Sequence, residues 1–305
     1  VVLVALLAPI VLLLIGEGLL ILAFMVWIRW PQNQQRRSPL THDLLSPPAW
    51  STLQARQEID DEVLVTALLI GLTPVLVYAS HISMSYLAGV GESTLRLILT
   101  ALTGFLVAGG LAIHLWRLLR RRLNYQQGLE GELATSEELN QLMLSGCRVF
   151  HDIPFPYGNI DHVVISPSGA FLVETKCIGR PRGREGETEV VVDHERNEIR
   201  FPHRTVTIPL PQLERSVRWL SQKLHDSTGT PVQIEPMLAL PGWFIRQRVG
   251  KNEVFVFNPK SPHRFFVHKR LVHSPERLRQ LAHQLEILCR SVEPSRKSRK
   301  ESISS

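Results

Sequence analysis

The chain has 305 residues, 44% of them hydrophobic, with 34 Lys and Arg against 28 Asp and Glu for a net charge of +6. That length favours two domains, and the positive balance suits nucleic acid or an anionic membrane surface, with charge beside membrane spans as the plainer source. The three cysteines, Cys147, Cys177 and Cys289, are scattered and form no CxxC. They argue against a disulfide framework and a zinc site and fit a reducing compartment.

Residues 1–120 are dominated by apolar runs, and residues 121–305 read as a soluble domain with a basic tail. Three stretches reach the roughly 20 apolar residues that a bilayer span needs. They are 1–28, broken only by Pro9, Gly16, Glu17 and Gly18, then 63–81, then 95–119. A cleaved signal peptide is the rival reading of the first. Its length, its lack of a basic start and its lack of a small-residue cleavage site count against that. The chain opens on Val1 rather than Met, which leaves its true start open.

Flanking charge sets the expected orientation. Arg29, Arg36 and Arg37 follow the first span, and Arg117, Arg120, Arg121 and Arg122 follow the third, whereas 83–93 has no Lys or Arg. An integral protein of the plasma or inner membrane is expected, with its N-terminus outside and everything after Arg120 in the cytoplasm. Trp27, Trp30 and Trp116 fit the inner interface, and Arg96 counts mildly against the assignment. Glu17 is expected to be protonated or paired with His81 or His114 inside the bilayer. Asp60, Asp61 and Glu62 read as a solvated helix start.

Arg120–Arg122 marks the boundary to the soluble half. A helix is predicted over 127–144, with Leu129, Leu133, Leu139 and Leu142 on one side and a possible break near Ser136. A strand at 147–151, a Pro/Gly loop at 153–158 and a β-hairpin over 158–176 follow, then a basic glycine-rich loop at 179–187. The segments 190–193 and 198–201 pair around 195–197. Pro209 and Pro211 introduce a helix to 224. Strands at 232–239 and 253–257 and a last helix from Ser274-Pro275 to 289 complete the domain. The tail 293–305, rich in Ser, Arg and Lys, is expected to be disordered.

Chemistry concentrates on the hairpin. Asp161 opens its first strand, and Glu174 and Lys176 close its second, on otherwise apolar strands. Charges inside a sheet are costly unless paired, metal-bound or reactive. Side chains two apart share a face, so Glu174 and Lys176 point together. If Pro167-Ser168 is a two-residue loop, Asp161 stands opposite Glu174, with Cβ atoms about 4.5–5.5 Å apart. Two carboxylates at that spacing call for a cation, and Mg²⁺ takes oxygen ligands from one or two of them. A three-residue loop with a bulge at Gly169 shifts the pairing by one and turns Asp161 to the other face. A Lys176 salt bridge on a purely structural hairpin is the alternative to a site.

The segments Gly128-Leu129-Glu130-Gly131-Glu132, 158–164 with Asp161, Val173-Glu174-Thr175-Lys176 and Pro211-Gln212-Leu213 occur in an order that resembles the NERD (nuclease-related) domain. That family is a branch of the PD-(D/E)XK nuclease-like superfamily, and the resemblance covers roughly 125–260. It implies an α/β fold: an αβββαβ core with a mixed central sheet flanked by helices, here preceded by three membrane spans. It also implies a metal, Mg²⁺ or Mn²⁺, held by Asp161 and Glu174, with Lys176 as the third catalytic residue. Glu132 would support the metal or the water, and Gln212 would sit near the phosphate or the lysine. Cys177 departs from the polar residue that many relatives carry there.

The reading is of a transmembrane region (1–120), a NERD domain (121–260) and a C-terminal helix with a basic tail (261–305). The expected activity is metal-dependent hydrolysis of nucleic acid, DNA foremost, by a membrane-anchored protein. The alternative is a non-catalytic tethered module that binds nucleic acid or protein. Arg180, Arg182 and Arg184 are the expected phosphate contacts, with a mobile solvated loop as their alternative. His162 is expected to be structural, and His151, His194 and His203 to lie at the surface.

Overall fold

Residues 43–87, 93–179, 188–251, 254–267 and 271–292 are described by the computed structural model. The predicted span at 1–28, the arginines at 180, 182 and 184, and the tail lie outside them. The chain divides into two compact units. One holds Glu58–Arg122, and the other joins Leu40–Gln57 to Leu123–Pro294.

Strand β1 is Leu44–Leu45, helix α1 runs Trp50–Leu87, and helix α2 runs Thr94–Asn140. At 1.5 Å per residue their 38 and 47 residues extend about 57 and 70 Å, beyond a hydrocarbon core of about 30 Å. Among the described residues these two helices are long and apolar enough to cross a membrane. Leu64, Leu68, Leu72 and Leu76 of α1 and Leu99, Leu102 and Leu106 of α2 are exposed. The two helices meet where Gly104 faces Val77, at a spot where a Cβ would lie 3.1 Å from Val77 Cγ1, and where His81 Nδ1 lies 3.2 Å from Thr100 Oγ1. Asp60, expected at a helix start, is instead ten residues inside α1, where it pairs with Arg122. The break in the helix expected between the span at 95–119 and the helix at 127–144 does not occur. No glycine or proline interrupts the Arg- and Leu-rich stretch between them, so one helix continues through both. The Ser136 hydroxyl bonds back to Leu133 O without breaking it.

After a 3₁₀ turn at Gln141–Ser145 come β2 (Arg148–Phe155), β3 (Gly158–Ser166), β4 (Gly169–Thr175), β5 (Glu189–Asp193), β6 (Glu198–Arg200) and β7 (Thr205–Thr207). Helix α3 (Leu210–Thr228), β8 (Ile234–Ala239), β9 (Phe244–Val249), β10 (Phe255–Phe257), α4 (His263–Phe266), α5 (Pro275–Cys289) and β11 (Arg290–Val292) follow. The central sheet has the order β10-β8-β4-β3-β2 and is mixed: β10, β8 and β4 are parallel, and β3 and β2 antiparallel. A second sheet, β7-β6-β5-β9, is inserted into this α/β plan.

Both faces of the central sheet are covered. Val163, Ile165 and Leu172 face Leu213, Leu220 and Leu224 of α3 and Leu281 and Leu285 of α5. The alternate residues Val164, Phe171 and Val173 face Leu139, Leu142 and Phe266. β2 continues through the predicted loop at 153–158 as far as Phe155. It is the edge strand, where Pro154 removes no ladder bond that the sheet requires.

Candidate functional site

The hairpin pairs Ser166 with Gly169, Ile165 with Ala170 and His162 with Val173, so Pro167-Ser168 is a two-residue loop. Continued by one step, this register sets Asp161 opposite Glu174. The β2–β3 ladder pairs His151 with His162 and Ile153 with Ile160, which sets Asp152 opposite Asp161. Three acids therefore stand in a row across β2, β3 and β4. The bulged alternative, which would have turned Asp161 away, does not occur.

Each acid is held by a neutral donor. The Thr175 backbone N–H donates to Asp161 Oδ2 at 2.7 Å, and Gln212 Nε2 donates to Glu174 Oε1 at 2.7 Å. Gln212 can do so because Leu213, next to it near the start of α3, is buried against the sheet face that carries Glu174. A fourth acid, Glu132 of α2, accepts from Thr52 Oγ1 at 2.8 Å. Asp152 accepts from Ser51 N at 3.0 Å, from Ser51 Oγ and from Asn159 Nδ2 at 3.1 Å. It thereby caps one orphan donor, the Ser51 N–H, at the start of α1.

The acids raise one another. Burial first, then Glu174, then Glu132 push the Asp161 carboxyl well above its ordinary range. Glu174 is pushed up to about 7 by burial and Glu132, against the pull of Lys176 and Gln212. Glu132 is pushed up to about 7 by burial and Asp152, against its bond from Thr52. Carboxyls in this condition hold protons or hold a cation. Among the described residues no three Asp, Glu, His or Cys side chains form a ready-made metal cage. The oxygen donors of Asp161 and Glu174 still fit Mg²⁺ or Mn²⁺, which completes its sphere with water and substrate phosphate.

Of the five predicted site residues, Asp161, Glu174, Glu132 and Gln212 gather at this cluster. Lys176, exposed, follows on the face of Glu174 and its charge acts on that carboxylate. Reading the sequence alone missed Asp152, Ser51 and Thr52. Asp152 lies in a segment read as lying beside a loop, and its φ of 51° is a strained conformation that only the fold reveals. Thr52→Val is expected to cost about 1–2 kcal/mol in thermal unfolding by leaving the buried Glu132 oxygen without its donor, while Thr52→Ser retains most of that stability.

Gly131 sets the distance between α2 and β4. A Cβ there would fall inside 3.0 Å of Cys177 Cβ and lie 2.9 Å from its Sγ, so the bare glycine lets the helix carry Glu132 up to the strand end.

The opposite sheet face holds a second buried polar chain. His151 Nε2 lies 3.0 Å from Asn140 Oδ1, His151 Nδ1 lies 2.9 Å from His162 Nδ1, and His162 Nε2 lies 3.1 Å from Thr175 Oγ1. Burial pushes His151 down to about 4, and burial with His151 pushes His162 further down, so both rings are neutral. With Thr175 donating to His162, a single set of tautomers satisfies every bond. His162 lies on the face opposite Asp161, as expected. His151 and His194 are buried rather than at the surface: His151 turns inward to Asn140 and His162, and His194, directly after β5, donates its backbone N–H to Val249 O of β9.

No curated protein and no solved structure matches the chain. The nuclease-related domain family, NERD, matches residues 127–241, a segment that includes Glu132, Asp161, Glu174, Lys176 and Gln212 and excludes Ser51 and Thr52. The chain thus carries a nuclease-related domain at residues 127–241, together with two helices that fit a membrane-spanning region.

Proposed function

We propose that this chain is a membrane-anchored nuclease that hydrolyses phosphodiesters of nucleic acid, with DNA the expected substrate, on the cytoplasmic side. The observation that carries the reading is the alignment of Asp161 with Glu174, flanked by Glu132 and Gln212, inside a segment matching the nuclease-related family. Asp161 and Glu174 would hold Mg²⁺ or Mn²⁺. When bound, the cation supplies neutralisation of the charge that builds on the phosphate. Gln212 fixes the orientation of Glu174 by donating to one carboxylate oxygen, leaving the other free. Lys176 places an ammonium beside the scissile phosphate or the attacking water. Glu132, held by Thr52, would accept a hydrogen bond from that water.

The membrane part of the proposal comprises three spans, with the N-terminus outside and the domain in the cytoplasm. It rests on Arg117, Arg120, Arg121 and Arg122, which follow the apolar part of α2. The domain limits proposed are 1–120, 121–260 and 261–305, and Arg180, Arg182 and Arg184 are proposed to grip phosphates.

The full chain in detergent, incubated with plasmid and linear DNA in Mg²⁺, Mn²⁺ or EDTA, tests the reading. Cleavage is expected only with metal, and Glu174→Ala or Lys176→Ala is expected to reduce it by about 10²–10³-fold or more. Cleavage that survives either substitution sinks the assigned site. The second reading is a tethered module that binds nucleic acid or protein without cutting, which the net positive charge would serve equally. DNA binding without metal-dependent cleavage selects it.

A further inference from the structure

A cleft of about 380 Å³ lies beside β10, away from the acids, and two guanidiniums converge in it. Arg248 comes from β9 and Arg264 from α4. Its floor and rim are aromatic: Phe244, Phe255 and Phe265, with Asn258 at the end of β10. Pockets of this size suit small ligands and single residues of polymers.

The charges of its described lining residues are of one sign. Among the described lining residues there is no carboxylate. Arg248 sits over the Phe255 ring at 4.9 Å, and Arg264 over the Phe265 ring at 4.6 Å. One Arg248 Nη donates to Val256 O at 2.8 Å. Ring faces and a carbonyl thus fix the direction of both cations without neutralising them. Burial, then the neighbouring Arg264 charge, lower the Arg248 guanidinium from its ordinary value. An arginine does not relieve such a strain by losing its proton, but an anion between the two would relieve it. Phe244 is 52% exposed at the rim, so its ring is accessible to a stacking partner.

The position is as informative as the chemistry. In the three parallel strands Thr175 pairs with Ala239, and Ala239 with Phe257. Lys176 and Asn258 therefore leave the same, carboxyl, end of the sheet, where open α/β sheets bind ligands. They are two strand spacings apart, roughly 10 Å. A strand of nucleic acid with one phosphate at Lys176 covers that distance within a few nucleotides.

We propose that the Arg248–Arg264 cleft is a nucleotide-binding subsite, in which the two guanidiniums hold one phosphate and Phe244 stacks on the attached base. The inference deepens the nuclease reading by assigning where the strand lies beyond the acids. A phosphate bridged by two arginines gives salt-dependent affinity without sequence preference. Stacking on Phe244 favours an unpaired base, whose ring face is free.

The test uses the full chain in detergent with Glu174→Gln as background and EDTA present, so that binding is read without cleavage. The probes are a labelled single-stranded DNA of about 12 nucleotides, AMP and inorganic phosphate. Arg248→Ala and Arg264→Ala are each expected to weaken oligonucleotide binding about 5–20-fold and to lower the salt slope by about 1. Phe244→Ala is expected to weaken it about 5–10-fold with the slope unchanged. The control is Arg246→Ala on the same strand, whose guanidinium already lies 3.6 Å from Glu189. It should change neither quantity by more than about twofold.

Unchanged affinity and slope in Arg248→Ala and Arg264→Ala overturn the subsite. Arginine-dependent binding of AMP or phosphate without oligonucleotide binding keeps the cleft and makes its ligand a free nucleotide. Arginine-dependent binding in a chain that never cleaves DNA keeps the cleft and sinks the nuclease reading. Cleavage that depends on Asp161 but is indifferent to both arginines sinks the cleft alone.

Discussion

Gly131→Ala is expected to be the most damaging single-methyl change in the domain, costing about 3 kcal/mol or more and abolishing whatever chemistry depends on Glu132. The added Cβ meets the Cβ and Sγ of Cys177, and Cys177 Cα lies only 3.4 Å away. None of these is the far end of a flexible side chain. Either α2 or the chain after β4 must therefore withdraw, and overpacking of this kind costs about 1–3 kcal/mol or more. The movement also carries Glu132, one residue on, away from Glu174. Gly128→Ala is the contrasting control, because its Cβ would meet only Thr52 Cγ2 at 4.0 Å. That substitution should be neutral, or stabilise by up to about 1 kcal/mol through helix propensity. Cys177→Gly removes the obstructing Cβ and Sγ and should restore part of the stability of Gly131→Ala. The double-mutant cycle in chemical denaturation measures that coupling, and a coupling near zero contradicts the contact.

The metal-free chain is expected to lose about 2 kcal/mol of stability between pH 6.5 and pH 8, and a divalent cation is expected to restore it. Glu132 and Glu174 have folded values of about 7 against an ordinary 4.5, and Asp161 is raised well above its ordinary 3.8. Between the unfolded and folded values the folded state binds more protons than the unfolded state. Stability then falls as pH rises through that window. His151 and His162 act with the opposite sign. Their folded values lie below 6.5, so their contribution is lost as pH falls from 6.5 toward 4. The two effects oppose each other below pH 6.5, and above it the acids act alone. Melting temperature measured across pH 6.5–8 should therefore decline in EDTA, and Glu174→Gln should flatten the decline. Saturating Mg²⁺ or Mn²⁺ at pH 8, near 100 times its dissociation constant, adds about 2.7 kcal/mol. A flat profile in EDTA contradicts the mutual elevation of these acids.

The hairpin shows how far the pattern of residues reached. Alternating apolar residues on either side of Ser166-Pro167-Ser168-Gly169 announced two strands, and counting from a two-residue loop brought Asp161 opposite Glu174. The bulged loop remained open, because a proline and a glycine in the turn suit either geometry. The covering of both faces of β3 and β4 closes the question. A slip of one residue would carry Val163, Ile165 and Leu172 out of one cluster and into the other. Gln212 was marked by the resemblance of Pro211-Gln212-Leu213 to the nuclease-related family and by no local rule. Its hydrogen bond to Glu174 depends on how α3 lies across the sheet.

Asp152 was not legible, because strand pairing beside Asp161 is decided by β3 and because its positive φ has no sequence mark on an aspartate. Ser51 and Thr52 are about 80 to 100 residues from the acids they serve, and a separation of that size is erased from any local pattern. The same holds for the cleft of Arg248 and Arg264, whose two arginines lie on different elements.

Local periodicity and charge determined, from the sequence by itself, the apolar segments at 63–81 and 95–119 and the hairpin with Asp161 and Glu174 at its strand ends. These follow from rules that act over a few neighbouring residues: burial by alternation, spans by length, turns by proline and glycine. Tertiary structure alone decided that Gly131 admits Cys177, that four carboxylates share one low-dielectric neighbourhood, and that two arginines share a cleft. Those outcomes depend on distances between elements, and such distances are set by how helices and strands pack against a common core.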